Sequence, residues 1–188
     1  LMMLQNRGYD SAGICSIEHD HLTKEHKLLC HKYASSKTLD ALSLLEKYES
    51  DHISQIGIGH TRWATHGPKS DVNSHPHFDM YNRISVVHNG IIENYNDLKN
   101  ELIENGFTFK SQTDTEVIAN YVSHEYNKCG HVEEAIQRTT NKLEGTWGIV
   151  LLCSDRPNNV YCSRHGSPLL IGIADDYFIV SSEQSGFC

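Results

Sequence analysis

The chain has 188 residues, of which 38% are hydrophobic and 21% charged, and its formal net charge is −8 at pH 7. This size and composition fit one globular domain that can build a core. The acidic balance and scattered basic residues argue against a nucleic-acid partner, and no apolar run approaches the ~20 residues of a membrane span.

The first half of the chain predicts mainly strands. Residues 11–17 and 27–33 are apolar and β-compatible, and the polar connection between them predicts a hairpin. Leucines at near-helical spacing predict a helix over residues 37–48. Residues 53–63 predict a buried strand, in which glycines allow close packing. Residues 65–82, rich in Gly, Pro, Asn, Ser and His, predict a long irregular loop.

The middle of the chain predicts helices. Residues 83–90 predict a buried strand that ends in Asn-Gly, followed by a helix with Asn94 as its N-cap and Gly106 beyond its C-terminus. Thr113 and Glu116 form the pattern of a capping box, which predicts the start of a second helix.

A third helix is predicted near residues 131–143, and four short strand-like runs finish the chain. The order of strands, helices and strands is not the regular alternation of a doubly wound parallel fold. It predicts an α+β domain with two sheets and helices on the outside.

The six cysteines favour a cytoplasmic protein with free thiols. They form no C-x-x-C pair, and Asn-x-Ser/Thr acceptor sites for glycosylation are absent. Structural zinc is therefore not expected.

Four histidines lie within residues 56–78, and they raise the question of a metal site. His60 and His66 are six residues apart, and His75 and His77 flank a proline. Zinc needs three or four converging ligands, and no thiol or carboxylate at ligand spacing supports these histidines. Polar histidines on a surface loop are the favoured interpretation, no metal is assigned, and a metal-binding module is the weaker alternative.

Arg62, Asn89-Gly90 and Asp114 each follow or begin a predicted element. An arginine binds a carboxylate through two parallel hydrogen bonds, and an aspartate suits an ammonium group. Together they suit the two charged ends of a free amino acid. The alternatives are a surface ion pair for Arg62, a type I′ turn for Asn89-Gly90 and helix-dipole complementarity for Asp114.

Four blocks in this order make the interpretation more specific. They resemble the glutaminase domain of the glutamine–fructose-6-phosphate aminotransferases (isomerising), and the resemblance spans nearly all 188 residues. Trp63 and Ala64 favour this family over the amidophosphoribosyltransferase type, which typically has Tyr-Ser there. The blocks are RGYDSAGI (7–14), GHTRWATHG (59–67), HNGIIENY (88–95) and TDTEVIA (113–119), with GSPLLIG (166–172) as a further similar block.

The resemblance implies a fold and a reaction. The fold is a four-layer αββα sandwich of the N-terminal-nucleophile hydrolase type, without a cofactor. In the reaction, an N-terminal cysteine attacks the side-chain amide of L-glutamine and its own α-amine acts as the base, which is reasonable because an α-amine titrates near neutral pH. The ammonia released is used at a sugar-phosphate site to make glucosamine 6-phosphate.

The resemblance also implies roles for individual residues. The Asn89 side-chain amide and the Gly90 backbone N–H match the oxyanion hole. Arg62 matches the residue that binds the α-carboxylate, and Asp114 matches the one that binds the α-ammonium group. The remaining expected substrate contacts are Trp63, Thr65 and His66 in a loop that closes over glutamine, and Arg7 near the nucleophile.

No cysteine in the chain matches the nucleophile of the family. We therefore expect residues 1–188 to be a glutaminase domain truncated at both ends and inactive alone. Sugar-phosphate isomerase domains in the same polypeptide and a homo-oligomer are expected as well. The competing hypotheses are a glutamine-binding pseudo-enzyme and a related amidotransferase such as the amidophosphoribosyltransferase type.

Overall fold

The computed structural model describes residues 1, 10–20, 22–63 and 68–187. Within these residues, strands come first, three helices follow in the middle, and strands return at the end. The elements are β1 (Ser11–His19), β2 (His26–Ala34), α1 (Ala41–Leu45), β3 (Gly57–Arg62), β4 (His77–Phe78), β5 (Ile84–Ile92), α2 (Tyr95–Glu104), α3 (Asp114–Cys129), α4 (Val132–Thr140), β6 (Gly145–Cys153), β7 (Val160–His165), β8 (Leu170–Ile173) and β9 (Phe178–Ser181), with 3₁₀ helices at Glu46–Asp51 and Gln184–Phe187.

The strands form antiparallel sheets in the orders β2-β1-β3, β4-β5-β6-β7 and β8-β9. Three hydrophobic clusters separate four layers. One lies between helices α2 to α4 and the β4–β7 sheet, the second between the two larger sheets, and the third between α1 and the β1–β3 sheet. The predicted α+β layering is therefore confirmed.

Helix α3 is the most buried helix, and the residues before it fix where it begins. Thr113 is the N-cap, and its hydroxyl accepts from the Glu116 N–H at 3.4 Å, as the capping box predicts. The Glu116 carboxylate, however, accepts from the N–H groups of Ser111 at 2.6 Å and Lys110 at 2.7 Å. These N–H groups precede the helix and need an acceptor, so Glu116 ties the incoming loop to α3.

The helix predicted over residues 37–48 is shorter than expected. Asp40 is the N-cap, with its side chain accepting from the Ser43 N–H, and α-helical geometry ends at Leu45. Before it, the Ser36 hydroxyl accepts from the Leu39 N–H, which holds those residues in a turn. This local side-chain bond competes with helix formation and delays its start.

Asn89 and Gly90 lie inside β5 and not at its end, so both the predicted strand end and the alternative of a type I′ turn are wrong. They pair with Gly148 and Trp147 of β6. Gly90 has a φ of +133°, and a Cβ added there would lie 2.1 Å from the Thr146 carbonyl oxygen. The glycine is required because the neighbouring strand approaches so closely.

The segment predicted as a surface loop is bound to the β1–β3 sheet. The Lys32 ammonium group donates to the carbonyls of Ser74 and Pro76 at 2.8 Å each, and to that of Val72 at 3.4 Å. His75 and His77 are 6% and 2% exposed, so their interpretation as surface histidines is wrong. None of the helices in the described ranges has the length and apolar character needed to cross a membrane.

We predict that replacing Lys32 by Met destabilises the protein by about 2 kcal/mol or more, because partly buried carbonyls lose a charged donor. Urea unfolding measures this free energy. Lys27→Met on the same strand is the matched control: Lys27 forms an exposed ion pair with Asp20 at 2.7 Å, and solvent screens this pair, so its loss should cost clearly less than the loss of Lys32. Equal losses in the two variants would contradict the proposed anchoring.

Candidate functional site

Strand β3 delivers Arg62 to the interior. Alternate residues of a strand face one side of its sheet, and Ile58, His60 and Arg62 are the buried set on β3. Arg62 is 4% exposed, so the alternative of a surface ion pair is wrong. Burial lowers the pKa of the Arg62 guanidinium, and the carboxylates of Asp114 and Asp10 counteract part of this effect.

The backbone of β5 presents N–H groups on the side away from β6. The Glu93 N–H donates to Glu144 and the Ser154 N–H donates to Arg83, so the odd-numbered residues of β5 form the hydrogen-bonded pairs with β6. Gly90 is an even-numbered residue between two of these pairs, so its N–H points away from β6, towards the other edge of β5. Strand β4 covers part of that edge, as far as Val86 in the described residues.

Asp114 closes the same edge of β5 from the first turn of α3. It is 5% exposed, and its Oδ2 accepts from the Ile92 N–H at 3.0 Å and lies 3.9 Å from His88 Nδ1. A role limited to helix-dipole complementarity does not account for these contacts. Asp114 therefore ties α3 to the strand that carries Asn89 and Gly90.

Arg62, Asn89, Gly90 and Asp114 meet in one pocket of about 290 Å³. The structure brings together five predicted site residues, and Trp63, at 56% exposure, forms the rim. The predicted site residues Arg7, Thr65 and His66 lie outside the described residues. The pocket is lined by His60, Thr61, Arg62, Trp63, His75, His88, Asn89, Gly90, Thr113, Asp114, Thr115, Ser167, Pro168 and Ser182.

Several lining residues were not predicted as site residues. Ser167 and Pro168 follow β7 and come from the GSPLLIG block, which the sequence comparison singled out without assigning it to the site. His60 and His75 belong to the histidine-rich stretch 56–78, and His88 begins the HNGIIENY block. Thr113 and Thr115 flank Asp114, in a stretch that the capping pattern and the TDTEVIA block marked without assigning either threonine to the site.

Buried histidines lie at and behind the back of the pocket, where they stack on each other or contact Thr113 and Thr115 at the N-terminus of α3. The His60 and His75 rings are stacked with centroids 4.2 Å apart, and His75 Nε2 lies 2.9 Å from Thr115 Oγ1. His77 Nε2 lies 3.1 Å from Thr113 Oγ1. Burial lowers the pKa of His60 to about 4 and that of His75 and His77 well below the ordinary value. All three imidazoles are therefore neutral near pH 7.

The arrangement combines one buried cation, one buried anion and outward-facing N–H donors. Such a set suits an amino-acid zwitterion, whose carboxylate and ammonium groups complement Arg62 and Asp114. Among the described residues, no group of three or more His, Cys, Asp or Glu side chains could hold a metal ion, and no described cysteine lines the pocket.

Comparison with known proteins gives a consistent result. The sequence profile of the glutamine amidotransferase domain matches residues 60–188. The chain is 46% identical over 182 residues to the glutamine–fructose-6-phosphate aminotransferase (isomerizing) of Clostridium perfringens, covering 96% of this chain and 28% of that protein. It is 41% identical over 189 residues to the protein of the same name from Pyrococcus horikoshii, covering 100% of this chain and 30% of that protein. The chain thus spans less than a third of these curated relatives.

Two solved structures resemble the fold. One is glutamine phosphoribosylpyrophosphate amidotransferase from B. subtilis complexed with ADP and GMP, with a TM-score of 0.72 and 26% identity over 99% of this chain and 38% of that chain. The other, described as the allosteric regulatory enzyme of purine biosynthesis, has a TM-score of 0.75 and 26% identity over 98% of this chain and 38% of that chain. The predicted αββα sandwich of the N-terminal-nucleophile hydrolase type is confirmed.

The buried neutral histidines predict a loss of stability at mildly acid pH. In the unfolded chain a histidine takes up a proton as the pH falls through about 6.5, whereas folded His60, with a pKa of about 4, does not. The contribution of neutral His60 to the free energy of unfolding is therefore fully present above about pH 6.5 and is lost as the pH falls towards 4. From about pH 7.5 to 5.5, we expect a loss of roughly 1 kcal/mol from His60, and further loss in the same direction from His75 and His77, whose pKa values burial also lowers.

Urea unfolding at the two pH values measures this loss. The variant His75→Gln should lose less stability than the native chain over the same interval, because one buried neutral imidazole is gone. An unfolding free energy that does not fall between the two pH values would show that these imidazoles take up protons in the folded state as readily as in the unfolded chain.

Proposed function

The chain belongs to the glutamine amidotransferase family, and we propose that it is the glutaminase domain of a glutamine–fructose-6-phosphate aminotransferase. In this proposal the domain hydrolyses L-glutamine and supplies ammonia for the synthesis of glucosamine 6-phosphate. The observation that carries the proposal is that Arg62, Asn89, Gly90 and Asp114 line one pocket. The identities of 40–46% to relatives with that name support the acceptor chemistry.

Glutamine binding is proposed to use the two buried charges. Arg62 binds the α-carboxylate through its planar guanidinium, and Asp114 binds the α-ammonium group. Because Asp114 Oδ2 accepts from the Ile92 N–H at 3.0 Å and Oδ1 accepts from the Thr115 hydroxyl at 3.5 Å, the carboxylate is held in one orientation, and its remaining lone pairs can accept from the ammonium group. These contacts leave the side-chain amide of glutamine to extend towards Asn89 and Gly90.

Hydrolysis is proposed to proceed through a γ-glutamyl thioester. The thiol of an N-terminal cysteine gives its proton to its own α-amine as the sulfur attacks the amide carbon, and the resulting ammonium group passes that proton to the leaving nitrogen, so that ammonia departs. Water then hydrolyses the thioester, which releases glutamate and restores the thiol. The Asn89 side-chain amide and the Gly90 N–H stabilise the negative charge on the tetrahedral intermediate. The outward direction of the Gly90 N–H, away from β6, supports this role.

The remaining predicted contacts stay proposals. Trp63 at the rim, with Thr65 and His66 beyond it, forms the segment that covers bound glutamine and excludes water. Arg7 positions the turn beside the nucleophile. We further propose that sugar-phosphate isomerase domains of the same polypeptide use the ammonia in a cytoplasmic homo-oligomer.

Substitution of Arg62 or Asp114 tests whether this buried charged pair binds glutamine. Arg62→Lys and Asp114→Asn should each weaken L-glutamine binding by about 10- to 100-fold, since each removes a charge-assisted hydrogen-bond arrangement. Titration calorimetry on the full-length protein with its natural N-terminus measures the affinity. Arg83→Lys is the control, because Arg83 contacts Ser123 and Asn127 outside the pocket.

Glutamate formation by the same preparations identifies the reaction. Unchanged affinity in both pocket variants would contradict the proposed site. Tight binding of glutamine by the native protein with no glutamate formed would instead support the glutamine-binding pseudo-enzyme.

A further inference from the structure

His60 is at the back of the pocket, where the two larger sheets meet. It projects from β3, and its Nε2 lies 2.9 Å from Oδ1 of Asn89, which projects from β5. Its neighbour on the same face of β3, Ile58, packs with Val87 of β5 in the core between the sheets. The contact between His60 and Asn89 therefore lies next to that core, and both residues line the pocket.

The surroundings restrict what the His60 ring can do. It is buried, and it stacks on His75 with an interplanar angle of 26°. Burial lowers the pKa of His60 to about 4, while the hydrogen bond to Asn89 acts in the opposite direction, as expected when the ring donates to an amide oxygen. Near neutral pH the ring therefore carries one proton. Asn89 Oδ1 lies within hydrogen-bond distance of Nε2, while Nδ1 has no hydrogen-bond partner among the described residues and the His88 backbone makes a smaller contribution that also favours the protonated ring.

The position of that proton decides which end of the Asn89 amide faces the pocket. A side-chain amide has an accepting oxygen on one side and a donating NH₂ group on the other. If Nε2 carries the proton, it holds Oδ1 and leaves the NH₂ group to face the pocket. If Nε2 lacks the proton, the amide turns over and presents its oxygen, which would repel a developing oxyanion.

We propose that His60 is a positioning residue whose Nε2–H donates to Asn89 Oδ1 and thereby aims the Asn89 NH₂ group at the oxyanion. This inference rests on the proposed function, because it requires glutamine hydrolysis with Asn89 as an oxyanion donor. The negative charge exists in the tetrahedral intermediate and not in bound glutamine. Loss of His60 therefore lowers kcat and leaves the KM for glutamine unchanged.

Three substitutions of His60 in the full-length enzyme with its natural N-terminus test this geometry. The amide nitrogen of Gln reaches the place of Nε2, whereas that of Asn reaches the place of Nδ1. We expect His60→Gln to keep kcat for glutaminase activity within about 3-fold, and His60→Asn and His60→Leu to lower it by about 10- to 100-fold. Equal losses in the Gln and Asn variants, or a loss confined to KM, would overturn the proposal.

A double substitution separates positioning from a structural role. On an Asn89→Ala background, His60→Leu should cause no further loss of kcat, because the group that His60 orients is already gone. A further loss of the same size as in the native background would overturn the proposal. Thermal melting and glutamine calorimetry of each variant identify losses that come from misfolding.

Nitrogen NMR of histidine-labelled enzyme reports the proton directly. The His60 signals, assigned with the His60→Gln variant, should correspond to the Nε2–H tautomer at pH 7, and the Nδ1–H tautomer would overturn the proposal. Failure of the proposed function looks different: Asn89→Ala alone would then leave kcat unchanged, whatever the His60 variants do.

Discussion

The open edge of β5 is the constraint on which the rest of this structure depends. A buried backbone N–H must find an acceptor, and β5 has no partner strand beyond β4 on this edge among the described residues. Two carboxylates supply acceptors: Asp79 for the Ile84 N–H at 2.9 Å and Asp114 for the Ile92 N–H at 3.0 Å. Gly90 lies between them with its N–H facing the pocket. The fold requires an acidic side chain at the edge, and that side chain also lines the pocket.

Most residues that line the pocket are polar, but few of them are charged. Buried charges are costly unless they have partners, and Arg62 and Asp114 are both almost fully buried. The imidazoles of His60, His75 and His77 stay neutral because burial lowers their pKa values. One positive and one negative group therefore dominate the field inside the pocket. A zwitterion satisfies both at once, whereas a simple anion or cation satisfies one and is repelled by the other.

Local patterns predicted the elements, and non-local contacts explain what was missed. Alternation and capping identified β1, β2 and the start of α3, and residue chemistry identified Arg62 and Asp114. The burial of His75 depends on Lys32, more than forty positions earlier in the chain, which binds the carbonyls around it. Asn89 was predicted at a strand end because its partner Gly148 is remote in sequence. Contacts between residues so far apart in the chain cannot be predicted from the local sequence pattern.

The register of β3 links the two halves of the site. Ser11 pairs with Arg62 and Gly13 pairs with His60, so the pairing of β1 with β3 determines which residues of β3 face inward. A slip of one residue would turn both His60 and Arg62 towards the other face of the sheet. Ile58 belongs to the same inward set and is held in the core between the sheets. The hydrophobic packing of Ile58 thus favours the register that places the buried cation Arg62 and the hydrogen-bond partner of Asn89 in the same pocket.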